Sequence, residues 1–180
     1  VPTLDLGGKR VLALLTNEFA DCEFKESNPR YHRRVDLEKF FPYQLARLAE
    51  QVSLATAQVY RTRFSLGRDE WRVMAALAQG DEMKTGDVLG RTTMEKMQVS
   101  RALARLERDG LVERSPDPGD GRAWLVRLRP AGLALYRRIV PMVQAREEYL
   151  LADLSGAERQ ALDAAFEKIG ERARQLIRQG

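Results

Sequence analysis

Arginine is the side chain with most chemistry to offer in this sequence, and that chemistry is recognition of phosphates and base edges rather than bond-making. Of 30 cationic residues, 24 are arginine. Six fall within residues 121–146 with no acid among them: Arg122, Arg127, Arg129, Arg137, Arg138 and Arg146. That window carries +6 and the remainder −2, against a net charge of +4. Phosphate binding depends on local cations whatever the global sum, so the window is expected to meet a polyanion. Constellations for catalysis are missing. With one histidine, His32, and one cysteine, Cys22, there is no HExxH-type motif, cysteine zinc cage or internal disulfide framework. Nor does the sequence hold a nucleophile–base pair or a phosphate-cradling loop, and neither an enzyme nor a resident cofactor is expected.

A second set of recognition groups shares one helical face. Thr92 and Glu95 have the spacing of a capping box, and Gly110 suits the position just past a helix end. Between them Val99, Leu103 and Leu106 form the stripe expected to be buried. At about 100° per residue, Met97, Arg101, Ala104 and Arg108 point the other way. Gln98, Ser100 and Arg105 lie on the flanks, and Lys96 turns partly toward the core. An arginine can fork onto guanine O6 and N7. Serine and glutamine can bond phosphates or adenine edges, and a methionine can meet a thymine methyl.

The elements that must hold these groups can be read on either side. A chain of 180 residues buries roughly 70% of its unfolded surface, enough for a real core. Leu45, Leu48, Val52, Ala55 and Val59 step by three and four, which predicts a long amphipathic helix with Pro42 near its start. After Gly67, Trp71, Met74, Ala75, Leu77 and Ala78 predict a shorter helix, closed near Gly80-Asp81. Residues 84–89 read as another, ending at Gly90. Beyond Gly110 the period changes. Residues 111–114 are a strand candidate, 115–121 are dense in turn formers, and Trp124, Val126 and Leu128 alternate with Ala123, Leu125 and Arg127. This predicts a hairpin with Arg122 near its tip. Pro130 fits the first position of a long helix over 131–151 that contains Pro141. Ser155 and Glu158 cap a last helix with the stripe Leu162, Phe166, Ile169, Ala173 and Leu176. Residues 1–30 are broken by Gly7-Gly8 and Asn28-Pro29, with a short helix possible over 11–19. The longest strongly apolar run, residues 11–15, is far below the ~20 a membrane span needs. The start lacks the order of a signal peptide, so a cytoplasmic setting is expected.

Short helix, turn, capped helix and basic-tipped hairpin follow the order of a winged helix–turn–helix. The expected fold is mainly α with a small β-hairpin wing: residues 63–130 as the DNA-binding domain, 36–62 and 131–180 as a helical dimerisation region, 1–35 as an extension. Three stretches carry a resemblance: Asp69-Glu-Trp-Arg-Val-Met-Ala-Ala-Leu, Gln98-Val-Ser-Arg-Ala-Leu-Ala-Arg-Leu-Glu-Arg-Asp-Gly-Leu-Val-Glu-Arg114, and Asp120-Gly-Arg-Ala-Trp-Leu-Val-Arg-Leu-Arg-Pro-Ala-Gly132. Together they resemble the MarR (multiple antibiotic resistance regulator) family over residues 36–180. The resemblance implies a homodimeric regulator, expected to be a repressor, on a pseudo-palindromic double-stranded operator. The helix over 93–109 would enter the major groove, placing Lys96, Met97, Gln98, Ser100, Arg101 and Arg105 at the DNA. Arg122 would enter the minor groove, with Asp120 supporting the wing. Arg129 replaces the family's usual threonine ahead of the post-wing helix, and the wing tip over 118–121 is glycine-rich where members often carry another arginine.

Family members usually release DNA when a small aromatic acid binds between the two regions. Here the ligand candidates are His32, Phe41, Tyr43, Arg47, Trp71 and Arg72. The segment Phe41-Pro-Tyr-Gln-Leu-Ala-Arg-Leu-Ala-Glu-Gln-Val-Ser53 is similar to members governing aromatic-acid catabolism, including those that sense hydroxycinnamoyl-CoA esters, so a CoA thioester is a second effector class. Two other readings stay open: a winged-helix module for protein contact, and an oxidant sensor through Cys22.

Overall fold

The computed structural model describes residues 35–80 and 82–180, with the side chains of 121 and 122 outside the description. His32, Cys22 and the helix expected over 11–19 lie outside the described residues. Leu37–Asp153 form one compact unit, and Leu154–Gly180 belong to a second.

The first unit opens with α1, Phe41–Phe64, which has a proline in its first turn and ends at Ser65 in the left-handed region (φ 53°). Then come α2 (Arg68–Leu77), β1 (Met83–Lys84), α3 (Thr85–Arg91) and α4 (Lys96–Arg108). The hairpin β2 (Val112–Asp117) and β3 (Asp120–Leu128) leads into α5 (Pro130–Leu150). The three strands form one antiparallel sheet in the order β1-β3-β2. In the second unit α6, Gly156–Gln179, starts with the expected reciprocal box between Ser155 and Glu158.

The core lies where α2, α3, α4 and the sheet converge. Val99, Leu103 and Leu106 of α4 are buried as their spacing predicts, against Val73, Met74 and Leu77 of α2 and Val126 of β3. Each such side chain contributes about 2 kcal/mol by leaving water. Gly110 takes φ +71°, a conformation glycine adopts without steric cost. It turns the chain from α4 into β2.

Two expectations change. The capping box of α4 uses Glu95 and Gln98, not Thr92 and Glu95. Thr92 is engaged elsewhere: its hydroxyl donates to the carbonyls of Val88 (3.0 Å) and Leu89 (3.4 Å), closing α3. β2 and β3 run further than expected, and Pro116 pairs with Trp124 where the sequence reads as turn. On α1 the buried residues are Ala57 and Tyr60, which pack toward α5 and α2. Leu45, Leu48 and Val52 of the expected stripe stay exposed on the single chain.

Candidate nucleic-acid interface

Packing leaves one face of α4 clear. With Val99, Ala102, Leu103 and Leu106 buried, Lys96, Met97, Ser100 and Arg101 are exposed together on the outer side. Met97 is 61% exposed, a cost in water that a contacting partner would remove. Among the described residues no acid pairs with Lys96 or Arg101.

Two flanking groups expected to face DNA are partly used within the fold. The Glu95 N–H donates to Gln98 Oε1 at 2.8 Å, so that oxygen caps the helix and only the amide nitrogen is left to donate outward. Arg105 Nη1 lies 3.1 Å from Glu70 Oε1. Glu70, buried at the start of α2, is not legible as a partner in sequence, because nothing local relates positions 70 and 105.

The hairpin turns around a carboxylate that the sequence marks only as a turn former. Asp117 Oδ1 accepts the Gly119 N–H at 2.8 Å, and Oδ2 meets Lys84 Nζ at 2.6 Å, tying the turn to β1. Asp120, expected to support the wing, supplies a further backbone N–H to the same carboxylate. A signal for this brace is present in the sequence: aspartate two residues before a glycine is the pattern of an Asx turn. Arg122 sits on β3, and its side chain lies outside the described residues.

The Lys84 ammonium and the Gly119 N–H hold the Asp117 carboxyl below the usual range, and the hydrogen bond to that carboxylate in turn raises Lys84. A lowered carboxyl stabilises the fold above its unfolded value and loses that contribution as pH falls through the lowered one. A raised lysine loses its share only on the alkaline side. The brace is therefore complete from about pH 5 to about pH 9. Asp117→Asn should melt lower than wild type near neutrality and converge with it on acidification. Parallel acid limbs in thermal melts of the two proteins would exclude the brace.

The acid-free arginine window is not one unpaired patch. Arg127 and Arg129 both bind Glu113, which faces Arg127 across the β2–β3 ladder and lies outside the window. Their hydrogen bonds, Arg127 foremost, hold Glu113 below the ordinary carboxylate range. Arg138 lies 5.2 Å over the Phe64 ring. Among the described residues, Lys96 and Arg101 of α4 and Arg137 and Arg146 of α5 have no acidic partner.

A second feature lies on the other side of α2. Trp71 stacks between Tyr60 (5.4 Å between ring centroids) and Tyr136 (5.6 Å). Burial pushes the Tyr60 hydroxyl upward in pKa. Trp71 and Arg72 border an open groove of about 520 Å³, lined also by Gln79, Arg91 and Thr92. Arg72 Nη2 donates to Ser53 Oγ at 3.3 Å. Arg91 is not among the residues the sequence points to, since nothing in it joins positions 72 and 91. Phe41, Tyr43 and Arg47 do not border this groove: they lie at the exposed start of α1, where the Arg47 guanidinium sits 5.9 Å over the Tyr43 ring.

A family model described as MarR family matches residues 64–123. Among solved structures, a MarR-family transcriptional regulator from Silicibacter pomeroyi is 31% identical, with a TM-score of 0.63 over 74% of this chain and 89% of that one. BpsR of Bordetella bronchiseptica, whose DNA binding is regulated by 6-hydroxynicotinic acid, is 25% identical, with a TM-score of 0.60 over 71% of this chain and 98% of its own. The homoprotocatechuate degradative operon repressor of Escherichia coli is 28% identical over 106 residues, 59% of this chain and 72% of that protein. All three are regulators rather than enzymes.

Proposed function

The chain belongs to the MarR family of transcriptional regulators, and from that premise we propose that it is a homodimeric repressor, released from a pseudo-palindromic operator by a small aromatic acid. The observation that carries the DNA reading is the outer face of α4, where Lys96, Met97, Ser100 and Arg101 stand exposed on a helix anchored by its buried side. One α-helix fills a major groove, and a basic hairpin suits the adjacent minor groove, the role assigned to Arg122.

Dimerisation is favoured by apolar surface that the single chain leaves in water. Leu48 and Val52 on α1 are exposed, as are Phe166, Ile169 and Leu176 on α6. A second copy supplies matching stripes by symmetry. Two copies would then place their reading helices at half-sites about 10 bp apart. No helix among the described residues is long and apolar enough to cross a membrane.

For the effector, the groove beside α2 offers the edge of the Trp71 indole and the small apolar side chains of Ala75 and Ala76, with the cations Arg72 and Arg91 at its border. That pairing suits an aromatic carboxylate. The BpsR ligand belongs to this chemical class, which supports the choice.

The test has two arms. Mobility shifts on the region upstream of the protein's own gene should show affinity falling steeply with salt. Binding indifferent to salt would overturn the DNA reading in favour of a protein-contact module. In thermal shift, an aromatic acid at a hundredfold excess over its Kd should add about 2.7 kcal/mol. Arg72→Ala should abolish most of that gain. Response to CoA thioesters alone would move the effector to that class, and an undiminished response in Arg72→Ala would remove the groove from the account.

A further inference from the structure

Between α4 and the sheet runs a groove of about 610 Å³. Lys96 and Ser100 line it from α4, Thr85 and Asp87 from α3, Arg114 from β2 and Trp124 from β3. Trp124 is 51% exposed. Side chains two apart on a strand share a face, and Val126, two residues further on, is fully buried. The row that fills the core therefore runs out of cover at Trp124. The backbone there is held firmly: Trp124 pairs with Pro116 across the ladder, and its carbonyl accepts the Thr85 hydroxyl at 3.2 Å. A fixed strand thus presents an uncovered indole beside the reading helix.

We infer that Trp124 grips the sugar–phosphate ridge that separates the two grooves of bound DNA, next to the base-reading face. The inference rests on the DNA reading above. With α4 in the major groove and the hairpin in the adjacent minor groove, that ridge passes over the gap between them, which is this groove. Its walls suit a phosphate. Lys96 has no acidic partner among the described residues, Ser100 adds a hydroxyl, and the indole has one donor, Nε1–H, with no acceptor. Arg114 and Lys84 are paired with Glu107 and Asp117, while Asp87 is a carboxylate on the α3 wall. The ring itself covers deoxyribose, as tryptophan does where one side of a contact is apolar and the other wet. Such a contact is independent of base sequence and carries no charge.

The chain has two tryptophans, so 5-fluorotryptophan labelling gives two fluorine resonances, assigned with Trp124→Phe. On titrating the full-length protein with a short duplex of arbitrary sequence at low salt, the Trp124 resonance should shift along the binding isotherm. Trp124→Ala, with an unchanged circular dichroism spectrum, should bind that duplex roughly tenfold more weakly with the same salt slope. Lys96→Ala should lower the slope by about one. Trp124→Phe, which keeps a ring but loses the donor, should fall between wild type and alanine. A wild-type protein that binds duplex while the Trp124 resonance stays still overturns the inference and leaves the DNA reading standing, even if the alanine variant fails to fold. A fall in salt slope for Trp124→Ala also overturns it, because the side chain would then act only by placing a cation. A wild-type protein that binds no duplex at low salt overturns the DNA reading itself.

Discussion

Gly132→Ala should destabilise the protein by about 3 kcal/mol, although alanine is the better helix former. Gly132 is the third residue of α5, and its φ is not in the left-handed region, so conformational freedom is not what it supplies. A β-carbon there would lie 2.1 Å from the Leu111 carbonyl oxygen and 3.2 Å from Leu128 Cδ2. The carbonyl cannot retreat easily. It accepts the Arg129 N–H at 2.9 Å, and the Leu111 N–H donates to Leu106 at 2.8 Å. Alanine's propensity gain of about 1 kcal/mol is smaller than the cost of forcing apart α5 and the end of α4. Urea unfolding at fixed protein concentration should give a lower midpoint with an unchanged slope. A midpoint equal to or above wild type would mean that the close approach is absent. Gly110→Ala is the instructive contrast: a β-carbon at that residue would meet nothing within 4 Å, and its penalty of about 1 kcal/mol comes from φ +71° alone.

Arg101→Ala should flatten sequence preference at one base pair of each half-site, costing about 1–3 kcal/mol of discrimination there. Arg101 is exposed on the outer side of α4 and has no acid partner among the described residues, so its fork is available to a base edge. Binding to arbitrary duplex should fall much less, in contrast to Lys96→Ala, which should weaken all sequences alike. Affinities for a set of operator variants, each changed at one position, decide between them. A uniform loss across the set would demote Arg101 to a phosphate contact. Arg105 is a poorer comparator, because its removal strands the buried carboxylate of Glu70 and changes stability along with contact.

What can be read from sequence is what neighbouring residues decide. The α4 stripe, the Ser155–Glu158 box and the left-handed Gly110 depend on spacing within a few residues, and the structure has all three. The cap of α4 falls at Glu95 with Gln98 rather than at Thr92, because the hydroxyl of Thr92 is claimed by the helix before it. β1 is two residues long and exists only because Met83 and Lys84 meet Val126 and Leu125. No periodicity can announce so short a strand. The charge window misleads for a related reason. Linear counting excludes Glu113, which the ladder sets directly opposite Arg127. At the site, the outward face of α4 follows from helical period, whereas Glu70 and Arg91 need the tertiary fold to bring them to Arg105 and Arg72.

Three consecutive residues of α2 reach three different parts of the first unit. Glu70 holds Arg105 of α4, Trp71 is clasped between aromatic rings of α1 and α5, and Arg72 borders the groove proposed for the effector. On the proposed function, a displacement of this ten-residue helix that reshaped the groove would also pull on the 3.1 Å ion pair to α4. Thermodynamics makes such a link run both ways. Whatever factor the effector takes from operator affinity, operator occupancy must take from effector affinity, and couplings of this kind are worth about 1–3 kcal/mol. On the proposed function, effector would therefore be sensed less keenly by protein already on DNA than by protein in solution, and the concentration that releases the protein would be set by the bound state.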